Sequence, residues 1–105
     1  MQKFYIMSGA LHDFIMDQRR EAEEYSKQPG CFMGLMPHPN ETEYWSERVP
    51  TGTLQEYQRI ELEETAYYIT ADHTSKSYAR SLDFSNWSDE NINRHIDNIV
   101  ERNML

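Results

Sequence analysis

The sequence predicts a small α+β domain. Two apolar stripes at helical spacing lie near its ends, and a run of apolar–polar alternation follows Gly52. Together they predict one domain over residues 1–105. An antiparallel sheet of about three or four strands would pack against an N-terminal helix at about 9–27 and a C-terminal helix at about 89–103. The sheet's other face would meet solvent or a partner.

The C-terminal helix has the sharpest signal. Ser88 is a good N-cap, and Asp89 and Glu90 put negative charge on the first turn, where the helix dipole favours it. Ile92, Ile96, Ile99 and Val100 form one stripe, and Trp87 with Ile92 has the spacing of a hydrophobic staple. In the first third, Ser8 can cap a helix whose face is Leu11, Phe14, Ile15, Ala22 and Tyr25. Gln28-Pro29-Gly30 stops it, since the residue before proline avoids the helical region and glycine supplies the exit turn. Lys3 to Met7 is expected to be a short strand before that helix.

Between the helices, Cys31 to Met36 (CFMGLM) is an apolar stretch closed by Pro37-His38-Pro39. Its length fits a short buried strand or crossing segment, with Phe32 and Leu35 in the core. Pro37, Pro39, Pro50 and Gly52 break residues 37–53 into loop or edge structure. Gln58, Ile60 and Leu62 then alternate with Arg59, Glu61 and Glu63, which predicts a strand. Helix over 54–69 is the rival reading; it suits Leu54 and Tyr57 but loses its stripe later. Thr65 to Ala71 is β-branched and aromatic. Asp72 to Lys76 is a turn cluster, and Tyr78, Arg80, Leu82 and Phe84 alternate with Ala79, Ser81 and Asp83. The segment reads as a hairpin.

Composition narrows the function. The chain has 18 acidic and 10 basic residues, net −8, with seven Tyr, four Phe and two Trp. Such charge repels nucleic acid and anionic membranes, so neither is expected as a direct partner. Met1 to Phe14 lacks the basic flank and apolar run of a signal peptide or membrane span. One cysteine rules out an internal disulfide. The expected compartment is the cytoplasm, and the sequons at Asn40 and Asn86 read as chance.

Motifs for catalysis are weak. His12, Cys31, His38, His73 and His95 show no metal-site spacing, and Cys31 with His38 is a loose pair. No metal or cofactor is expected. The four glycines match no phosphate-binding loop. A nucleophile at Cys31, or a site around His73, Ser75 and Ser77, has no local signature behind it. A small hydrolase using Cys31 or His73 is therefore a subordinate alternative, and the protein is read as no enzyme.

Charge is unevenly spread. Residues 41–64 hold seven acidic and two basic side chains, net −5. The acids are Glu41, Glu43, Glu47, Glu56, Glu61, Glu63 and Glu64. On an extended chain, Glu41/Glu43 and Glu61/Glu63 would each share a face about 6.6 Å apart, about two phosphate steps along one DNA strand. The bland alternative is a solvated face that keeps the protein soluble.

The function these features favour is an acidic inhibitor or adaptor that binds a basic protein surface, such as the nucleic-acid groove of a nuclease. Tyr44, Trp45 and Tyr57 would anchor the interface, with Met33 and Met36 at its apolar centre and the glutamates steering the encounter. Small acidic inhibitors that bacterial viruses make against restriction or CRISPR nucleases are similar in composition, a similarity that carries over no residue. The alternative is a homo-oligomeric structural or ligand-binding module built on CFMGLM.

Overall fold

A computed structural model describes residues 4–103. It contains α1 (Gly9–Ser26), α2 (Thr42–Arg48), α3 (Leu54–His73), α4 (Lys76–Leu82), a 3-10 turn (Phe84–Asn86) and α5 (Asp89–Asn103). No strand occurs among the described residues, so the protein is all-α and the expected sheet does not exist. The chain forms two compact units that divide between Tyr57 and Gln58.

In the first unit, α1 starts where Ser8 Oγ accepts the Leu11 N–H at 3.1 Å. It ends before Gly30, whose φ is +78°. Leu11, Ile15 and Ala22 are buried along one face, as their spacing predicts. The expected strand at 3–7 is corrected: residues 4–8 are irregular, and Lys3 lies outside the described residues. That segment is held by single contacts instead of a ladder. The Ser8 N–H donates to the Gly52 carbonyl at 2.8 Å, and the Tyr5 hydroxyl to the Val49 carbonyl at 2.8 Å.

Residues 37–53 are not all loop, because α2 lies inside them. Its anchor is Trp45, 1% exposed, whose indole N–H donates to the His38 carbonyl at 3.0 Å. Tyr57 packs between Trp45 and Phe14, with ring centroids 6.1 and 5.3 Å away. Seven residues are too few to form a stable helix alone; burying Trp45 is what holds this one.

The correction with the largest consequence is α3. The strands expected from 58–62 and 65–71 are one continuous helix. Thr53 Oγ1 accepts the Glu56 N–H at 3.2 Å, and Glu56 Oε1 accepts the Thr51 N–H at 3.0 Å. The helix buries Tyr57 in its first turn, then Ala66 and Thr70. Nine residues at 3.6 per turn is about two and a half turns, so Tyr57 and Ala66 share no stripe. The later stripe is Leu62, Ala66 and Thr70, a leucine followed by a small and a polar residue. Little hydropathy marks it. The β-branched residues cost well under about 1 kcal/mol each in a helix, less than packing returns.

The expected hairpin is likewise corrected. Asp72 to Lys76 does turn the chain, but between two helices. Ser75 Oγ caps α4 by accepting the Tyr78 N–H at 3.1 Å. Residues 78–82 are helical, and Ala79 is buried. Asp83 leaves the helix at φ +44° and caps the 3-10 turn, accepting the Ser85 hydroxyl at 2.7 Å. Ser88 then caps α5, accepting the Asn91 N–H at 3.1 Å. The core of this second unit is Ala66, Phe84 and Ile92, with Leu62, Leu82, Trp87 and Ile96 packed against it. Trp87 and Ile92 thus meet in one cluster, as the staple predicts.

Candidate functional site

The all-α fold rearranges the acidic residues. Along a helix, side chains two apart point about 200° away from each other, so Glu61 and Glu63 share no face. Glu41 is the N-cap of α2 and Glu43 lies in its first turn. The phosphate-like spacing expected of an extended chain is therefore absent from both pairs. Neighbours on a helix are three and four apart instead. That rule brings Glu63 beside Tyr67, and Glu64 beside Tyr67 and Tyr68.

These four residues form one wall of a groove in the second unit. Ala79 and Arg80 of α4, and Asp83, Phe84 and Ser85 at the 3-10 turn, complete a lining around about 340 Å³. Ala79 and Phe84 are buried beneath it. Tyr68 is 61% exposed, and its ring meets Tyr67 edge-on with centroids 5.3 Å apart. Three carboxylates face one guanidinium in the lining. Two of the seven glutamates of residues 41–64 are here. Tyr67, Tyr68, Arg80 and Asp83 were not singled out by the sequence, because a strand reading puts Glu63 and Tyr67 in different elements.

Glu63 also has a structural task. Arg59 Nε donates to its Oε2 at 3.0 Å, while the same guanidinium reaches Asp89 Oδ1 at 2.5 Å and the carbonyls of Phe84 and Trp87 at 2.9 and 2.6 Å. The Asp89 hydrogen bond is the main reason the Arg59 guanidinium is held charged even more firmly than usual. Arg59 thereby ties α3 to the entrance of α5.

The remaining sequence-selected residues scatter. Glu43 and Glu47 are exposed on α2, four apart and on one face; Tyr44 beside them is 42% exposed. Trp45 and Tyr57 are core residues, at 1% and 5% exposure. Glu56 and Glu61 are half-buried on α3. Met36 is half-buried, its carbonyl accepting from Arg19 and its Sδ lying 4.0 Å from the Tyr57 hydroxyl. Phe32 and Leu35 do not enter the core. They are 84% and 47% exposed, and Met33 is 49% exposed. The stretch is held by its backbone: Ser26 Oγ accepts the Met33 N–H at 2.9 Å. A chain pinned in this way leaves its apolar side chains outside.

No match for this chain emerges from comparison with protein-family models, curated proteins and solved structures.

Among the described residues, no side-chain hydrogen bond joins the candidate catalytic residues Cys31, His38, His73, Ser75 and Ser77 to one another. Cys31 Sγ lies 3.8 Å from Gln28 Oε1 and makes no hydrogen bond to a histidine among the described residues. His38 Nδ1 accepts the Asn40 N–H at 3.0 Å. His73 is exposed at the end of α3, and Ser75 is occupied as a cap. Among the described residues, no group of three or more His, Cys, Asp or Glu is placed to hold a metal ion, and no helix is long and apolar enough to cross a membrane.

Proposed function

We propose that this protein is an acidic binding protein, not an enzyme. It engages a basic surface on a partner that handles nucleic acid, as an inhibitor or adaptor. The observation that carries the reading is the α3–α4 groove, where Glu63, Glu64, Asp83 and Arg80 share the lining with exposed Tyr68 and half-buried Tyr67. A lysine or arginine side chain entering it meets carboxylates and can lie over a ring face of Tyr67 or Tyr68. Cation–π contact adds about 0.5–2 kcal/mol per pair. The net charge of −8 steers the encounter and makes it salt-sensitive. Glu43, Glu47 and Tyr44 on α2 extend the same chemistry to the first unit.

Affinity capture from a lysate at about 50 and about 500 mM salt, read by mass spectrometry, tests this; charge-driven contacts weaken across that range as the Debye length shrinks. The expected result is a basic partner retained at low salt and released at high salt. Glu64→Gln with Asp83→Asn should weaken capture, and Tyr68→Ala further. Asparagine tolerates the positive φ at 83, so Asp83→Asn removes charge without straining the turn. If capture survives both high salt and the charge-neutral variant, an electrostatic interface is the wrong reading.

A second reading rests on the exposure of Phe32, Met33 and Leu35, which with Glu23, Ser26 and Lys27 line a hollow of about 440 Å³. Apolar patches of this kind mark contact surfaces, and here they would serve a homo-oligomer. Sedimentation across a concentration series decides it: a protein monomeric throughout eliminates the oligomer.

A further inference from the structure

The second unit contains another hollow, of about 430 Å³, lined by Asn86, Trp87, Asn91, Arg94, His95 and Asn98. Its chemistry is unlike that of the acidic groove. No carboxylate lines it. Its one formal charge, Arg94, is engaged by Glu90 at 3.1 Å. The pair is exposed, so the charge is only partly offset, and a bound anion would have to compete with the Glu90 carboxylate.

The hydrogen-bonding state of His95 follows from Thr70. Thr70 is fully buried, and a hydroxyl has one proton to donate. Its Oγ1 lies 2.7 Å from the Ala66 carbonyl, which can only accept, and 2.8 Å from His95 Nε2. The Thr70 proton goes to Ala66, so the His95 proton sits on Nε2 and is donated to Thr70. Nδ1 is left as an acceptor. Among the described residues it has no hydrogen bond and no fully buried side-chain N or O lacks a partner, so solvent reaches Nδ1. The space His95 lines is this hollow.

The other lining groups are also uncommitted. The side-chain amides of Asn86, Asn91 and Asn98, and the indole N–H of Trp87, have no hydrogen-bond partner among the described residues, although Trp87 itself is half-buried. The lining residues thus include an imidazole with one acceptor nitrogen, an indole with one donor, and three amides that do both.

We propose that this hollow binds a small, uncharged, hydroxyl-rich ring of hexose size. Hydroxyl groups donate and accept, so they satisfy a lining of mixed polarity without needing a charge. The C–H edges of a sugar ring suit the negative face of an indole. The hollow is shallow and four of its six lining residues are exposed, so affinity is expected to be weak.

The test is a titration of the full chain with glucose, galactose, mannose and N-acetylglucosamine, each to about 50 mM, a range that covers weak millimolar affinity. Inorganic phosphate and uridine are run as controls. The indole N–H and imidazole resonances are read by nitrogen-correlated NMR. At least one hexose should shift the Trp87 indole and His95 ring signals saturably while the buried Trp45 indole stays still. Asn91→Ala and Asn98→Ala, whose side chains hold nothing in the fold, should each weaken binding roughly tenfold with an unchanged thermal midpoint. Three results overturn the proposal: no saturable shift with any hexose, a shift with phosphate or uridine alone, or full affinity in both asparagine variants.

Discussion

Thr70 Oγ1 and His95 Nε2 are 2.8 Å apart, and the histidine is the donor, because the threonine's only proton belongs to the Ala66 carbonyl. His95 also packs against Phe84 and Trp87, each ring centroid 5.4 Å away. Burial, and then the nearby Arg102, push its pKa below the ordinary histidine value. The unfolded chain therefore takes up the proton before the folded one does. Stability is at its full value above about pH 6.5, the ordinary histidine pKa, and falls as the pH drops below it toward the lower folded value. Thermal midpoints measured from about pH 7 to pH 5 should fall more in the wild type than in His95→Gln, since glutamine can still donate to Thr70 but cannot titrate. Equal slopes would show that His95 is not the group responsible.

Arg59 makes four contacts that a lysine cannot reproduce, because a fork is needed to reach two carbonyls and two carboxylates together. Arg59→Lys should cost about 2–3 kcal/mol in urea unfolding. Arg94→Lys, which disturbs only an exposed pair with Glu90, should cost less than about 1 kcal/mol.

Gly52 cannot be replaced by a larger residue without cost. Its φ is +69°, and a Cβ there would sit 2.3 Å from the Ile6 carbonyl oxygen. That oxygen is backbone and cannot rotate away. Gly52→Ala should destabilise by about 2–5 kcal/mol through strain and overpacking together. By contrast, Gly34→Ala meets nothing within 4 Å and should be nearly silent in the same measurement.

Phe32 and Trp45 have opposite expected effects. Phe32→Ser removes a side chain that is 84% exposed and should change stability by no more than about 0.5 kcal/mol. Trp45→Ala empties the centre of the first unit and should cost about 3–5 kcal/mol. Chemical denaturation of both variants checks the placement of CFMGLM on the surface.

Parts of this fold are legible in the sequence because the signal is local. The capping serines Ser8 and Ser88, and the strong stripes of α1 and α5, need only neighbouring residues to be recognised. The caps of α3 and α4 were equally local: Thr53-x-x-Glu56 has the spacing of a capping box, and Ser75 precedes α4 directly. Alternation over 58–62 and the β-branched run at 65–71 point the other way, toward strands. A strand reading hides the groove, since Glu64 and Tyr68 meet only at helical spacing.

What the sequence determined by itself is the acidity of the chain, the two terminal helices with their caps, and the stop at Pro29-Gly30. Those depend on composition, on backbone sterics and on side chains within one turn of each other. Tertiary structure decided for helix over strand at residues 54–73 and 76–82, and that Phe32 is outside while Trp45 is inside. It also set the proton of His95 on Nε2. Each of these depends on a partner distant in sequence: Ala66 is buried because Phe84 and Ile92 cover it, and His95 is a donor because Thr70, 25 residues earlier, has nothing left to give.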